Sequence, residues 1–333
     1  MSKTQKRLTG LAATLIILLS LSIAYLLQPS GQLRNFQQWQ YKPLSSAAHH
    51  SKLTVKFFGV STLLFDDGQE QILIDGFFSR PSLSQVLLQP IQSNSELIEQ
   101  MIRELQLQRA KALLVTHSHY DHALDVAALG QRLPKLQIIG SGSTLNIARG
   151  GHVPEQQLVP VQPWKTMQIG HFSITAIPSQ HTPPTAVNND LGQEIARPLP
   201  LPARFSEFKE GHSFDYLIEH HGCRILVKAS TGAIANQFKN IRADVLFLGI
   251  AQLSRQTPGY QQRYLMQTLG TLKPKIVVPI HWDDFFQPLH QPLQFLPRAA
   301  DNTARSMQIL IDAAAKQKTQ VVLLSQPVSY SLP

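Results

Sequence analysis

The apolar run Ala112-Leu113-Leu114-Val115 leads straight into THSHYDHALD, residues 116–125, which packs three histidines and two aspartates into ten positions. Neither a helix face nor a solvated loop requires so many ligand-type side chains together, whereas a metal site does. His117 and His119 are two apart, so in an extended segment at a strand end they point the same way. Asp121 and His122 follow where the chain must turn. Two imidazoles from one face leave a tetrahedral cation wanting a third ligand from elsewhere in the chain. The candidates are His181 in IPSQHT and His281 in VVPIHW, each following an apolar strand where loops gather over a sheet edge.

The pattern around these residues predicts how they are carried. LTVKFFG, STLLFDD and QILIDG are short β-branched and aromatic runs between turn residues, so they form a meander from Leu53 onward. SNSELIEQMIRELQLQ gives a helix with Leu97, Ile98, Met101, Ile102 and Leu105 at helical spacing and Ser93 with Glu96 as its capping box. The strand KALLVT, the histidine loop and a helical stretch near 123–132 come next. MQIGHFSITAIPS and SFDYLIEHHGCRILVKAS form hairpins, in which His171 is a turn residue and His220-His221 are exposed hairpin positions. Later strands and helices alternate: ADVLFLGI, PGYQQRYLMQTLG, KIVVPIH, NTARSMQILIDAAAKQ and QVVLLS. Meander followed by alternation, twice over, predicts an α/β fold: a four-layer αββα sandwich of two mixed β-sheets. Residues 53–333 form this domain, interrupted by a Pro-rich insertion at 183–210 that lacks periodicity and makes a long loop or lid.

Ahead of the domain the chain is basic and then apolar. Residues 1–7, MSKTQKR, precede LTGLAATLIILLSLSIAYLL, residues 8–27, which carries no charge and is long enough to span a bilayer. The positive flank stays in the cytoplasm, so the expectation is a single-pass inner-membrane protein with its catalytic domain facing the periplasm or exterior. A cleaved signal peptide is the competitor, with Ser22-Ile23-Ala24 as its small-x-small site. The apolar run continues past that site and exceeds the usual signal core, which favours an uncleaved anchor. Residues 28–52 are Gln/Ser/Pro-rich without period and form a linker that includes His49-His50. Lysine and arginine outnumber aspartate and glutamate by 30 to 21, for a net charge of +9, yet no aromatic interleaving or nucleic-acid module accompanies them. No nucleic-acid partner is expected. The single cysteine, Cys223, rules out a thiolate-rich zinc site.

With these residues in place, the chain resembles the metallo-β-lactamase superfamily. Asp75 in ILIDG, then HSHYDH, His181 and His281 stand in the order of that family's motif. DGFFSRPS, THSHYDHALD, PSQHT and IHWDDF resemble most closely the branch of N-acyl-phosphatidylethanolamine-hydrolysing phospholipase D and the ascorbate-6-phosphate lactonases. The resemblance implies one metal held by His117, His119 and His181 and a second by Asp121, His122 and His281. It also implies that Asp75 braces the histidine loop from behind. One family position differs. The aspartate that bridges two metals stands in a turn matched here by KASTG, so Ser230 occupies its place. One zinc is then expected to bind tightly and a second more weakly. Lys228, on the same side of the strand, is a possible site neighbour, but the expected place for its ammonium is a solvent-facing strand end.

A three-histidine zinc keeps an open position whose water is acidified to a pKa of about 7. The activity implied is attack by zinc-bound hydroxide on an ester, lactone or phosphodiester of a small anionic or lipid-like substrate. Asp121 would orient the water or act as base. The alternative is a non-catalytic metal- or ligand-binding member that lost turnover with the bridging aspartate. Five retained histidine ligands argue against complete decay.

Overall fold

The computed structural model describes residues 2–42, 53–185 and 189–333. A long helix, α1 (Lys3–Leu27), precedes the folded domain. The domain begins with β1 (Thr54–Phe57), β2 (Leu63–Asp66) and β3 (Gln71–Ile74), an antiparallel meander. β4 (Ala110–Leu114), β5 (Gln137–Gly140) and β6 (Leu158–Pro160) continue the sheet in parallel. Parallel strands need crossovers. These are α2 (Leu83–Leu88) with α3 (Ser95–Glu104), then α4 (Tyr120–Ala123) with α5 (Val126–Arg132), then α6 (Gly142–Gly150). The helix from Ser95 is capped by Asn94, whose side chain accepts from the Leu97 amide at 3.1 Å. The expected cap, Ser93, instead donates to the Leu124 carbonyl at 3.0 Å, pinning the helix start to the histidine loop's far end.

The second sheet repeats the plan. β7 (Thr166–Ile169), β8 (Phe172–Ser179), β9 (Ser213–His220) and β10 (Cys223–Lys228) are antiparallel. β11 (Val245–Gly249), β12 (Ile276–Ile280) and β13 (Gln320–Val321) follow in parallel, crossed over by α7 (Pro258–Leu265) and α8 (Thr303–Gln317). β14 (Tyr330–Ser331) returns to pair with β1, so among the described residues each sheet has seven strands.

Side-chain alternation then sorts the layers. Phe65, Ile72, Ile74, Ala112 and Leu114 join Ile174, Ile218, Val227 and Phe247 in the core between the sheets. Their neighbours Leu64, Leu73, Leu113 and Ile138 face the other way and pack with Ile98, Met101, Leu129 and Ile147 of the helices. Phe65 and Phe247 meet edge-on across the two sheets at 5.6 Å. Removing a ring of that kind from a core costs about 3–5 kcal/mol. The result is helix, sheet, sheet, helix, the four-layer sandwich expected from the pattern.

Arg7–Leu27 has a mean hydropathy of 2.3, lies outside the packed core, and is long and apolar enough to cross a membrane. Its end is fastened to the domain. The Ala299 amide donates to Leu26 O at 3.0 Å, the Arg298 amide to Gln28 O at 2.9 Å, and the Ser30 amide to Leu296 O at 3.0 Å. The Arg298 guanidinium also sits over the Tyr25 ring at 4.8 Å. The first half of the expected linker is therefore folded. A 3-10 turn at Leu33–Trp39 buries Phe36 against Phe295, 5.5 Å between centroids, and Gln40 bridges to Leu323. Aromatic anchors without period make this contact, and periodicity cannot reveal them. Residues 43–52, with His49 and His50, lie outside the described residues.

Candidate metal centre

Five loops leave the carboxyl ends of strands at one edge of the sandwich. Asp75 follows β3, the loop 116–122 follows β4, His181 follows β8, Ser230 follows β10 and His281 follows β12. Parallel strands deliver their carboxyl ends to one edge, which is why residues separated by up to some two hundred positions in the chain meet there.

The candidate ligands fall into two groups of three. His117, His119 and His181 each offer a ring nitrogen, and these atoms lie within 4.8 Å of one another. Asp121, His122 and His281 meet the same criterion. The rings of His117 and His122 are 3.8 Å apart, so the groups adjoin. His122 Nε2 and His281 Nε2 lie 3.6 and 3.5 Å from Asp121 Oδ2. Burial, then the neighbouring His122, His181 and His119, holds His117 well below the usual imidazole range. Burial, then His119 and His122, does the same to His181. Both rings are neutral, the form that ligates. Burial opposes ionisation of Asp121, but His122, then His281 and His119, outweigh it and hold the carboxyl well below the usual carboxylate range. His117 Nε2, His122 Nε2 and His281 Nδ1 are buried without a hydrogen-bond partner. Buried nitrogens are costly to leave unpaired, and their number in so small a volume fits a cation.

The rings are braced from outside. Asp75, fully buried, accepts from the Thr116 amide at 2.7 Å, from the Thr116 hydroxyl at 3.0 Å, from the Ser61 hydroxyl and from His122 Nδ1 at 2.8 Å. It thus holds both the start of the histidine loop and the ring of His122. His281 is held through its amide, which donates to Val60 O at 2.6 Å. The Val60 amide in turn donates to Asp283 Oδ1 at 2.6 Å, and Asp283 pairs with the buried Arg80. Gly59 makes room for this: at φ +90°, a Cβ there would fall on Arg80 and Asp283.

Asp190, in the 183–210 insertion, receives His119 Nε2 at 3.1 Å. Its other oxygen accepts from the Glu210 amide at 3.1 Å, and the Ser118 amide donates to Glu210 O at 3.0 Å. Metal-bound imidazoles commonly have such a carboxylate on the second nitrogen. Sequence reading missed Asp190 because it stands 71 positions from His119 in a segment without period. Beyond Asn189 the described part of the insertion is anchored on α6. Ile195 is buried, its amide donates to Ser143 Oγ at 2.8 Å, and Asn146 Nδ2 donates to Ile195 O at 2.6 Å.

Ser230, which the sequence resemblance sets in the place of the family's bridging aspartate, lies buried in the turn after β10. With Thr116, His117, Ser213 and Asp215 it lines a small cleft beside the histidines. The turn itself is kept: Gly232 approaches the Gln180 and His181 backbone so closely that a Cβ would clash, and Thr231 Oγ1 donates to Thr182 Oγ1 at 2.9 Å. Lys228 does not face solvent as expected. It is fully buried, and its Nζ donates to Asp215 Oδ2 at 3.2 Å and to Ser179 Oγ at 3.0 Å. Asp215, one strand over, was not legible as its partner. The ammonium is therefore committed to Asp215 and Ser179 and does not stand in the place of Ser230.

Residues 70–282 match the beta-lactamase superfamily domain. No curated protein matches the chain. Among solved structures, the diiron β-hydroxylase CmlA from Streptomyces venezuelae is similar with a TM-score of 0.52 at 13% identity, over 86% of this chain and 55% of that one. A possible metal-dependent hydrolase from Veillonella parvula is similar with a TM-score of 0.50 at 12% identity, over 85% of this chain and 100% of that one. A metallo hydrolase from the archaeon Ignicoccus hospitalis is 16% identical with a TM-score of 0.48, over 84% of this chain and 99% of that one. The first two speak to the fold. The matched domain spans β3 through His281, and so takes in Asp75, both three-residue groups and the altered Ser230 position. This chain belongs to the beta-lactamase superfamily.

Proposed function

We propose that the protein is a membrane-anchored, metal-dependent hydrolase of an ester, lactone or phosphodiester in an anionic or lipid-like substrate, with zinc as its cation. The observation that carries this reading is the pair of adjoining three-residue groups, in which three buried ring nitrogens have no hydrogen-bond partner. His117, His119 and His181 would hold one cation tightly, and Asp121, His122 and His281 a second more weakly. When bound, such a cation acidifies a water and draws charge from a carbonyl or phosphoryl oxygen. The side chains do the remaining work. Asp121 stays ionised and offers a carboxylate oxygen to orient that water or accept its proton. Asp75 and Asp190 keep His122 and His119 from rotating away. Imidazole and carboxylate donors suit iron as well as zinc, so metal content is the first measurement.

The substrate reading rests on the route from site to anchor. Phe285 lies 5.9 Å from the His281 ring and 4.6 Å from Phe286, and the same segment runs on to Leu296 and Arg298, which bond to the end of α1. That continuity supports a site working at the membrane surface. Lys3, Lys6 and Arg7 before the apolar stretch support a cytoplasmic N-terminus, with the domain beyond the inner membrane.

Full-length protein in detergent should contain tightly held metal and turn over at least one of a generic ester, a lactone and bis(p-nitrophenyl) phosphate. His119→Ala should abolish turnover and lose the metal equivalent held by His117, His119 and His181, since two nitrogens do not close a site on zinc. Tight metal without turnover of any reporter would favour a non-catalytic binding protein, a reading that Ser230 in the aspartate's place supports. Wild-type protein with no tight metal would end the hydrolase reading.

A further inference from the structure

The two sheets also meet at the edge opposite the metal centre. Asp67 and Glu70 lie in the turn between β2 and β3, His171 in the turn between β7 and β8, and His220 at the end of β9. The eight residues of β8 separate His171 from the edge bearing His181. At about 3.3 Å per residue that is roughly 25 Å. From the meeting of these turns we infer a second cation site, independent of the first, in which Asp67, His171 and His220 hold a zinc-type divalent ion and clamp one sheet to the other.

Three ligand atoms converge there, all within 4.8 Å of one another. His171 Nδ1 is 2.7 Å and His220 Nε2 3.2 Å from Asp67 Oδ2. With zinc–ligand bonds of about 2.0–2.1 Å, the edges of a tetrahedral site are roughly 3.3 Å. The two edges from Asp67 Oδ2 to the rings, at 2.7 and 3.2 Å, therefore differ from that by only tenths of an ångström. The carboxylate is already positioned: Asp67 Oδ1 accepts from the Gln69 and Glu70 amides at 2.8 and 2.7 Å, leaving Oδ2 to the rings. His220 is buried, contrary to the expectation for a hairpin end, and its ring packs on Phe172 at 4.7 Å. Glu70 Oε2 accepts from the His171 amide at 2.9 Å and lies 3.9 Å from His171 Nδ1, close enough to supply a fourth oxygen. Gly170 permits this approach, since at φ +54° a Cβ there would overlap the Glu70 carboxylate. The His171 side chain is 44% exposed, which gives a cation a way in from solvent. One carboxylate and two imidazoles select a borderline divalent cation over calcium or magnesium.

The test uses full-length protein in detergent, dialysed against chelator-buffered free zinc and assayed for bound zinc. Wild type should hold one zinc more than His171→Ala, whose exposed position leaves the fold intact. Asp67→Asn should bind that equivalent at least tenfold more weakly. Reporter turnover should be unchanged in His171→Ala. His119→Ala should keep the extra zinc, which separates this site from the metal centre whatever the fate of the hydrolase reading. A His171→Ala protein with the wild-type zinc content would overturn the proposal and leave the three side chains as a hydrogen-bonded clasp.

Discussion

Ser230 stands where the family resemblance of the sequence implies a bridging aspartate. A unit of missing negative charge about 4 Å from a cation is worth about 4 kcal/mol at an effective dielectric of 20. We therefore expect one tightly held zinc at the histidine centre, with Asp121, His122 and His281 filling only at high metal concentration. Ser230→Asp should strengthen that second site by at least tenfold in a zinc titration. Lys228 is already committed to Asp215, so its ammonium is not available to absorb the new carboxylate. Lys228→Ala should instead destabilise the fold by about 3–5 kcal/mol in denaturant unfolding, because it leaves Asp215 buried with the Gln237 amide but no counter-charge. Two equally tight zincs at the histidine centre of the wild type would show that another group bridges. Asp283 is not that group while it serves Arg80 and the Val60 amide.

Among the elements, the 183–210 insertion changes the picture of the site most. Its anchoring on α6 and the contact from Asp190 to His119 make it a wall of the metal centre. Asp190→Asn should weaken the cation held by His117, His119 and His181 by about 10–100-fold, the usual effect of removing such an outer carboxylate. Competition against a chelator measures this, and the unfolding midpoint of the metal-free protein should not move. An unchanged affinity would mean that Asp190 merely rests against the ring. The same lesson applies to the histidines of the far edge. His171, His220 and Asp67 belong to three different turns, each of which looks ordinary alone.

For the molecule as a whole, the apolar helix α1 is tied to the domain at its end. Four of the contacts that hold the end of α1 come from residues 296–299, so if the helix spans a membrane as proposed, the domain is seated close to its surface. The full-length protein should stay with membranes after an alkaline wash. Recovery of a soluble form beginning near Tyr25 would show that the apolar segment is removed as a signal peptide.

Much of this was legible from residue order. Period-2 and period-3.6 patterns placed the strands and helices, and HSHYDH after a buried strand announced a metal. His181 and His281 could be named because each ends an apolar strand, and strands running in one direction must deliver their ends to one edge. Apart from Asp75, what stayed hidden were the partners chosen by distance across the fold. Lys228 with Asp215, Asp190 with His119 and Asp67 with two histidines are pairings between groups that carry no periodic signal. Burial compelled them, since a charged group excluded from water needs an opposite charge or hydrogen bonds within reach. Local sequence determined which elements form and where ligands stand along them. Only the stacking of two sheets decided which charges face each other, because that depends on inter-strand register and layer spacing rather than on any residue's neighbours in the chain.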